Sequence, residues 1–294
     1  MSPARLHLVD GTYELFRAHF SPRPPHRDAA GEDAKATVGL VSSLLALLED
    51  AQEGVTHLAV AFDNPIRSFR NALFAGYKSD EGVPPELRRQ FDGAEAAVRA
   101  LGVPVWSMAE FEADDALASA AARYAPQVGQ VRLLTPDKDL GQCVRGETVV
   151  QVDRLRARVL DEAAVRALRG IAPGSIPDWL ALTGDSADGI PGLAGFGEKT
   201  AAALLARYGH LEAIPAQAAS WEVKVRGAER LAATLAAERE AALLYRRLAT
   251  LREDVPLPMD VEALAFRGVP REPFLVWCEG ANVRSLRERP KRWA

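Results

Sequence analysis

The sequence predicts an α/β fold, in which a parallel sheet flanked by helices is followed by a C-terminal helical subdomain. Three observations predict it. Short apolar runs alternate with amphipathic helical patterns through the first half of the chain, as in parallel sheets that are covered on both faces. From about residue 160 the pattern is mainly helical. Acidic residues recur directly after the apolar runs, where ligand sites of such sheets lie.

Each apolar run is a predicted strand, and each amphipathic stretch is a predicted helix. In chain order the predicted strands are 5–10, 55–63, 102–108 and 130–137. The predicted helices between them are 37–51, 85–101 and the alanine-rich stretch of 108–126. This order of strand and helix is typical of parallel strands joined by helical crossovers.

Composition narrows the class of protein. The 294 residues are 48% hydrophobic and 26% charged, as in ordinary soluble domains. Cys143 and Cys278 have no metal-ligand spacing and form no disulfide framework, and the five histidines are scattered, so we expect no zinc site. No apolar stretch is long enough for a signal peptide or a membrane span, which predicts a cytoplasmic protein without a membrane partner.

Acidic residues gather at one edge of the predicted sheet. The first two strands end in an aspartate, three acids follow the third strand, and two follow the fourth. Because the carboxyl ends of parallel strands lie at the same edge, we expect these side chains to converge. Two further aspartates, three positions apart, stand in a glycine-rich segment. The nine acids are Asp10, Asp63, Glu112, Asp114, Asp115, Asp137, Asp139, Asp185 and Asp188.

Divalent cations would relieve the repulsion among these carboxylates. Mg²⁺ prefers carboxylate and water oxygens, and two such ions about 4 Å apart can clamp the attacking and leaving oxygens of a phosphoryl displacement. With the nine acids set aside, 31 acidic residues remain against 36 basic ones, which favours a polyanion as partner. Taken singly, Asp10 also fits a strand-ending turn, and Asp137 with Asp139 a helix cap. Their joint placement favours metal binding.

The glycine-rich segment 184–200 resembles a helix–hairpin–helix. Gly192, Gly195 and Gly197 permit positive φ and close backbone approach. The free amides of the following helix, which starts near Lys199 and Thr200, would then suit a phosphate. A plain turn between two helices is the alternative.

Basic and aromatic residues alternate between the second and third predicted strands. Such a stretch suits a single nucleic-acid strand through phosphate pairing and base stacking, although a solvated helix face would look similar. Arg17, seven positions after Asp10, is a further basic candidate. The basic residues of the stretch are Arg67, Arg70, Lys78, Arg88 and Arg89.

Five ordered stretches resemble the bacterial 5′–3′ exonuclease/flap endonuclease family, which includes the nuclease domain at the N-terminus of family A DNA polymerase I. The similarity runs from about residue 6 to 205, and more weakly to about 255. The stretches are "LVDGTYELFRA", "VAFDNPIRSFRNALFAGYK", "EADDALA", "TPDKDLGQ" and "TGDSADGIPGLAGFGEKTA". With 294 residues there is no room for a polymerase, so we expect a stand-alone nuclease.

The resemblance implies a PIN-like nuclease core and a helical subdomain that grips duplex DNA. The core is expected over 1–160, with an arch or clamp at about 70–92. The helical DNA-binding subdomain is expected over 161–280, with a helix–three-turn–helix at about 176–208, and a basic tail over 281–294.

The resemblance also implies roles for single residues. One metal cluster would use Asp10, Asp63, Glu112 and Asp114, with Asp115 alongside, and the second would use Asp137, Asp139, Asp185 and Asp188. The expected catalytic residues are Lys78, Arg70 and Asp115. The expected DNA-binding residues are Arg17, Tyr77, Gly192, Gly195, Gly197, Lys199 and Thr200. The implied cofactors are two Mg²⁺ or Mn²⁺ ions, with K⁺ on backbone carbonyls of the glycine-rich hairpin.

The expected function is that of a structure-selective 5′ nuclease in DNA replication and repair. It would act as a monomer on DNA with a 5′ single-stranded flap or end, and on RNA primer–DNA hybrids. One departure concerns Glu81, where relatives commonly have a basic residue, so the threading of a free 5′ end is expected to differ.

Three other functions remain open. A non-catalytic DNA-junction-binding protein would lack some of the acids, whereas every matching acidic position is filled. A PIN-type ribonuclease would normally dispense with the glycine-rich hairpin. A metal-dependent phosphatase would use only the two acids of "DKD".

Overall fold

The structure, a computed structural model, describes residues 4–294. It divides into two compact units: the first holds residues up to Arg67, Asp80–Thr135 and Glu253–Ala294, and the second holds Ser68–Ser79 and Pro136–Arg252. The strands are β1 (Arg5–Asp10), β2 (His57–Asp63), β3 (Val105–Met108), β4 (Gln130–Leu134), β5 (Val149–Asp153) and β6 (Arg158–Leu160). The helices are α1 (Gly11–Phe20), α2 (Lys35–Glu49), α3 (Arg70–Leu73), α4 (Pro85–Arg88), α5 (Phe91–Ala100), α6 (Ala113–Tyr124), α7 (Glu162–Arg169), α8 (Ile176–Thr183), α9 (Glu198–Tyr208), α10 (Ala228–Ala237), α11 (Arg239–Ala249) and α12 (Arg271–Gly280).

The first unit contains the predicted parallel sheet. Its strands lie in the order β3-β2-β1-β4, and each neighbouring pair is parallel. The side chains of Leu6, Leu8 and Val9 on β1 are fully buried, as continuous apolar strands are when helices cover both faces. Helices α1, α5 and α6 lie against these strands, and α2 packs on α1 and α5. The predicted sheet and its helical crossovers are therefore confirmed.

Several predicted boundaries in this unit are wrong. The third strand begins at Val105 rather than at 102. The fourth strand ends at Leu134 rather than at 137. The predicted helix 85–101 is broken into α4 and α5. At the break, the side chain of Gln90 is buried, and its Oε1 accepts from the amide and the hydroxyl of Thr37 (3.1 and 3.2 Å). That contact supplies an acceptor at the start of α2, which has no side-chain cap of its own.

The second unit is mainly helical, as predicted. Its core includes the buried side chains of Trp179 and Leu180 on α8 and of Leu204 on α9. The antiparallel pair β5–β6 was not among the predicted strands. Its second strand has three residues, and two of them are exposed, so it carries no apolar run that sequence reading could detect.

A buried aspartate joins three parts of the second unit. Asp178 on α8 is 1% exposed and accepts from the Leu211 amide (3.1 Å) and from Nη1 of Arg246 on α11 (3.1 Å). His210 Nδ1 lies 2.9 Å from its other oxygen. A buried carboxylate with several donors fixes the packing of the helices that carry them.

None of the helices within residues 4–294 is both long enough and apolar enough to cross a membrane.

The first unit buries a histidine against a glutamate. His7 on β1 is fully buried, and its Nε2 lies 3.0 Å from Oε2 of Glu53. Arg132 on β4 pairs with the same carboxylate, and its Nη2 donates to Oε1 of Glu53 at 3.1 Å. The hydrogen bond from His7 lowers the pKa of Glu53 to about 2, and burial lowers the pKa of His7. Both shifts make the folded protein less stable in acid, because the unfolded chain then binds more protons.

We predict that the contribution of Glu53 to stability is fully present above pH 4.5 and is lost as the pH falls towards 2. At pH 6, Glu53→Gln is expected to lower the free energy of unfolding by about 2–3 kcal/mol. The difference from wild type should shrink as the pH falls below 4.5. Urea unfolding followed by circular dichroism between pH 3.5 and 6 measures it.

Glu240→Gln, which removes an exposed carboxylate on α11, is the control and should differ from wild type by a small, constant amount. A Glu53→Gln difference that stays constant over this pH range would contradict the assignment.

Candidate functional site

The first acidic group consists of Asp10, Asp63, Glu112, Asp114 and Asp115, all in the first unit. Asp10 ends β1 and caps α1, since its Oδ1 accepts from the Tyr13 amide at 2.8 Å. Its Oδ2 accepts from the hydroxyl of Thr135 at 3.1 Å, directly after β4. A single carboxylate thus joins the ends of two neighbouring parallel strands.

Asp63 ties the end of β2 to the start of α6. Its Oδ1 accepts from the Ala113 amide at 2.8 Å, and its own amide donates to the hydroxyl of Thr12 at 2.8 Å. Since β1 and β2 are paired, the acids that follow β1, β2 and β3 lie at one edge of the sheet. The predicted convergence of this group is therefore present.

The acids at the start of α6 cap it reciprocally. The side chain of Glu112 accepts from the amide of Asp115, and the Asp115 side chain accepts from the amide of Glu112 at 3.0 Å. Asp115 is fully buried, and Glu112 is 5% exposed. Capping accounts for these two acids, whereas Asp114 is only partly buried. The catalytic role of Asp115 stays a prediction, and its contacts are those of a residue that positions Glu112.

The second acidic group consists of Asp137, Asp139, Asp185 and Asp188, all in the second unit. Asp139, Asp185 and Asp188 each present a carboxylate oxygen within 4.8 Å of the other two. Asp139 is 4% exposed, and its Oδ1 has no hydrogen-bond partner. An oxygen that is buried without a donor costs free energy unless a cation or a proton satisfies it. A donor set made only of carboxylates fits a hard divalent cation.

The electrostatics of the second group also favour a bound cation. Burial raises the pKa of Asp139 well above its ordinary value, and repulsion from Asp137, Asp188 and Asp185 raises it further. A group that is held so far from its ordinary pKa by burial and by like charges is typical of functional sites. A divalent cation would reverse the shift by favouring the charged carboxylate.

Two lysines already pair with this group. Lys78 Nζ lies 3.0 Å from Asp188 Oδ1, and Lys138 Nζ lies 2.7 Å from Asp185 Oδ2. The hydroxyl of Tyr77 also donates to Asp188 Oδ2, at 3.4 Å. Tyr77 and Lys78, both predicted from the sequence, therefore lie at the second acidic group.

A close backbone contact brings Lys78 to this position. The amide of Lys78 donates to the carbonyl oxygen of Asp188 at 3.0 Å. The next residue, Gly189, has φ +74°, and a Cβ there would overlap the carbonyl oxygen of Gly76. Only glycine allows the two segments to approach so closely.

Two predicted phosphate contacts are occupied within the protein. The guanidinium of Arg70 is fully buried and donates to the carbonyl oxygens of Leu248 (2.7 Å) and Thr250 (3.0 Å). Arg17 donates to Glu14 and to the hydroxyl of Ser43. These contacts give both arginines a structural role, and their phosphate contacts stay predictions.

The glycine-rich segment connects α8 to α9, as the predicted motif requires. Gly192 and Gly195 have φ +72° and +90°. Gly197 differs from expectation, because its φ is −104°, an ordinary extended value, at the N-cap of α9. Gly195, Gly197 and Lys199 are exposed, and Thr200 is partly buried. The amides at the start of α9 therefore face solvent, where an anion could reach them.

Sequence reasoning missed three polar residues of the two groups. Lys138 is not among the predicted site residues, although a lysine between two acids in "TPDKDLGQ" is a visible signal. The hydroxyl of Thr12 accepts from the Asp63 amide, and the hydroxyl of Thr135 donates to Asp10. Neither threonine had a signal in the sequence beyond its place near an acid.

Comparison with known proteins shows which family this chain matches. Residues 5–170 match the N-terminal resolvase-like domain of 5′–3′ exonucleases, and residues 171–272 match the C-terminal SAM fold of the same enzymes. DNA polymerase I of Pseudomonas aeruginosa is 37% identical over 285 residues, which are 94% of this chain but 30% of that protein. The chain thus spans less than a third of the length of this relative.

Other relatives are similar over most of their length. A 5′–3′ exonuclease of Aquifex aeolicus is 30% identical over 263 residues, 89% of this chain and 86% of that protein. Among solved structures, the bacteriophage T5 flap endonuclease, in a complex with DNA and metal ions, has a TM-score of 0.66 at 19% identity, covering 83% of this chain and 88% of its own. The catalytic core of Rad2 in complex with DNA substrate has a TM-score of 0.58 at 13% identity, covering 96% and 87%. These structures share the fold.

We predict that Gly189→Ala lowers the free energy of unfolding by about 2–4 kcal/mol, because it combines a positive φ with a backbone clash. Gly174→Ala is the matched control, since no atom lies within 4 Å of the added Cβ. This variant should change the free energy of unfolding by less than about 0.5 kcal/mol. Urea unfolding measures both. Equal stability of the two variants would show that the 76–78 segment is not held against Gly189.

Proposed function

As the chain belongs to the 5′–3′ exonuclease family, we propose that it is a structure-selective 5′ nuclease that hydrolyses DNA phosphodiesters where a single strand leaves a duplex. One observation carries the proposal: the oxygens of Asp139, Asp185 and Asp188 lie within 4.8 Å of one another, with one buried oxygen left without a donor. Structural acids have no reason to gather in this way.

Two Mg²⁺ or Mn²⁺ ions are the proposed cofactors. Asp10, Asp63, Glu112 and Asp114 would hold one, and the second acidic group the other. When bound, the ions supply a water activated for attack and positive charge for the developing phosphate. The first group fits because the amides of Tyr13 and Ala113 fix the carboxylates of Asp10 and Asp63 in place. The second group fits through its carboxylate-only donor set.

Lys78 is the proposed phosphate-stabilising residue. Its ammonium lies 3.0 Å from Asp188 Oδ1, and the Lys78 side chain is 24% exposed, so we propose that a phosphodiester reaches it from solvent. Charge-assisted hydrogen bonds from such a lysine stabilise the negative charge that develops on a phosphate during hydrolysis. Tyr77, whose ring lies 5.7 Å from the Lys78 ammonium, orients the lysine. In our proposal Arg70 acts through its hydrogen bonds to Leu248 and Thr250, which fix the segment that carries both residues.

The duplex is proposed to lie against the start of α9. Gly195, Gly197 and Lys199 are exposed there, and backbone amides with one lysine position a phosphate without reading sequence. A monovalent cation such as K⁺ on carbonyls of the glycine-rich segment would extend the same contact. Arg17 is proposed to contact a phosphate near the first acidic group.

The proposed substrates are DNA with a 5′ single-stranded flap or end and RNA primer–DNA hybrids. Glu81 is exposed and would repel a threaded single strand, so we propose that it makes threading slower than a basic residue would. The setting that these substrates imply is DNA replication and repair in the cytoplasm, with the protein acting as a monomer.

A labelled 5′-flap duplex tests the proposal. With Mg²⁺ we predict cleavage near the branch, and in the presence of a chelator we predict no cleavage. The Asp139→Asn variant should cleave more slowly than wild type, by a factor on the order of a hundred or more. Lys78→Met should lower the rate on a similar scale while flap binding without divalent metal changes far less. Asp260→Asn, an exposed aspartate outside both acidic groups, is the matched control and should cleave as wild type does.

Four results would reject the proposal. Cleavage that continues in chelator, or that is unchanged by Asp139→Asn, rejects the metal-dependent mechanism. Cleavage of single-stranded RNA together with indifference to branched DNA identifies a ribonuclease instead, and junction binding without cleavage identifies a non-catalytic protein.

A further inference from the structure

The C-terminal part of the chain reverses the charge balance of the protein. Over residues 267–294 seven basic side chains stand against three acidic ones, although the whole chain has a net charge of −4. Five of the seven basic side chains are exposed. Within residues 4–294, Arg289 is the only one of the seven that pairs with an acid, at 3.6 Å from the carboxylate of Glu49. An excess of exposed positive charge attracts polyanions.

Two segments of this region are fixed side by side. The amide of Val269 donates to the carbonyl oxygen of Arg292 at 2.9 Å, and the amide of Ala294 donates to the carbonyl oxygen of Val269 at 3.0 Å. Gly268, at φ +129°, lies so close to Trp293 that an added Cβ would come within 2.6 Å of its carbonyl carbon. The exposed basic side chains next to these contacts form what we call the C-terminal basic surface: Arg267, Arg271, Lys291 and Arg292.

Trp293 anchors this surface and offers little face for stacking. The guanidinium carbon of Arg271 lies 5.1 Å from the centre of its ring, and the ring of Phe274 lies 6.1 Å away at an angle of 55°. A single strand would need a free aromatic face for its bases, whereas a stacked guanidinium still donates to phosphate oxygens from its edges. The surface therefore suits the backbone of a duplex better than unpaired bases.

The C-terminal basic surface begins at the edge of the sheet opposite to the first acidic group. The amide of Phe266 donates to the carbonyl oxygen of Thr56 at 2.9 Å, directly before β2, whereas Asp63 ends that strand. A Cβ added to Gly102, just before β3, would likewise meet Pro270. The seven residues of β2, at about 3.3 Å each, separate the two edges by about 20 Å. This distance corresponds to about six base pairs of duplex DNA.

We propose that the C-terminal basic surface binds the backbone of the second duplex arm of a branched DNA, about six base pairs or more from the branch. A flap substrate has two duplex arms: the first contains the strand that carries the flap, and the second lies beyond the branch. The duplex proposed at α9 lies against the second unit, whereas the C-terminal basic surface belongs to the first. Its arginine and lysine side chains contact phosphates without reading sequence. The inference rests on the proposed function for the identity of its ligand.

Binding of labelled flap DNA to the full chain in chelator tests the inference. The second arm is closed by a hairpin loop and is either about 4 or about 15 base pairs long, so that only the longer arm spans the 20 Å. Wild type should bind the long-arm flap on the order of tenfold more tightly than the short-arm flap. The variant Arg267→Gln/Lys291→Gln/Arg292→Gln should lose most of that gain. Its dependence of log affinity on log salt should be less steep than that of wild type by about 2–3, as for three lost phosphate contacts.

The control variant Arg23→Gln/Lys224→Gln/Arg239→Gln removes three exposed positive charges elsewhere and should keep the gain from the long arm. Circular dichroism checks that both variants are folded. The inference is overturned if the first variant keeps the full gain, if it loses affinity equally for both arm lengths, or if the control loses as much. Wild type that binds with this dependence on arm length but does not cleave in Mg²⁺ would reject the proposed function and support the surface.

Discussion

Repulsion among buried carboxylates is the constraint on which the second unit depends. Asp139 is buried beside Asp185 and Asp188, and its pKa is raised first by burial and then by these neighbours. Packing alone would select against such a group, because a buried charge without a partner destabilises the fold. The lysine pairs at Asp185 and Asp188 offset part of the repulsion. What they leave is a buried oxygen of Asp139 without a hydrogen-bond donor, which suits a divalent ion.

The two acidic groups tolerate their charge in different ways. In the first group, backbone amides at helix starts hold the carboxylates: Asp10 caps α1, and Glu112 with Asp115 caps α6. Helix N-termini carry partial positive charge, so these acids stabilise the helices that position them. In the second group, the ammonium groups of Lys78 and Lys138 pair with the carboxylates of Asp188 and Asp185. The first group is therefore fixed by secondary structure, and the second by side-chain ion pairs.

Much of the fold and of the acidic set could be predicted, because both follow from local pattern. Apolar runs that each end in an acid identify parallel strands and their carboxyl edge, which Asp10 and Asp63 confirm. The ion pair of Lys138 with Asp185 could not be predicted, since its partners are 47 positions apart and no periodicity relates them. The burial of Arg70 against the carbonyl oxygens of Leu248 and Thr250 could not be predicted either, because these residues are also far apart in the sequence. The pair β5–β6 was missed because its exposed strand has no apolar run.

The central claim of the proposed function is that Asp139, Asp185 and Asp188 gather to hold a divalent ion. Diffraction from crystals grown with Mn²⁺, recorded at an energy where manganese scatters anomalously, tests it most directly. The account predicts an anomalous peak in direct contact with carboxylate oxygens of these aspartates. Crystals saturated with Mn²⁺ that show no peak at Asp139, with Lys78 still paired to Asp188, would contradict it.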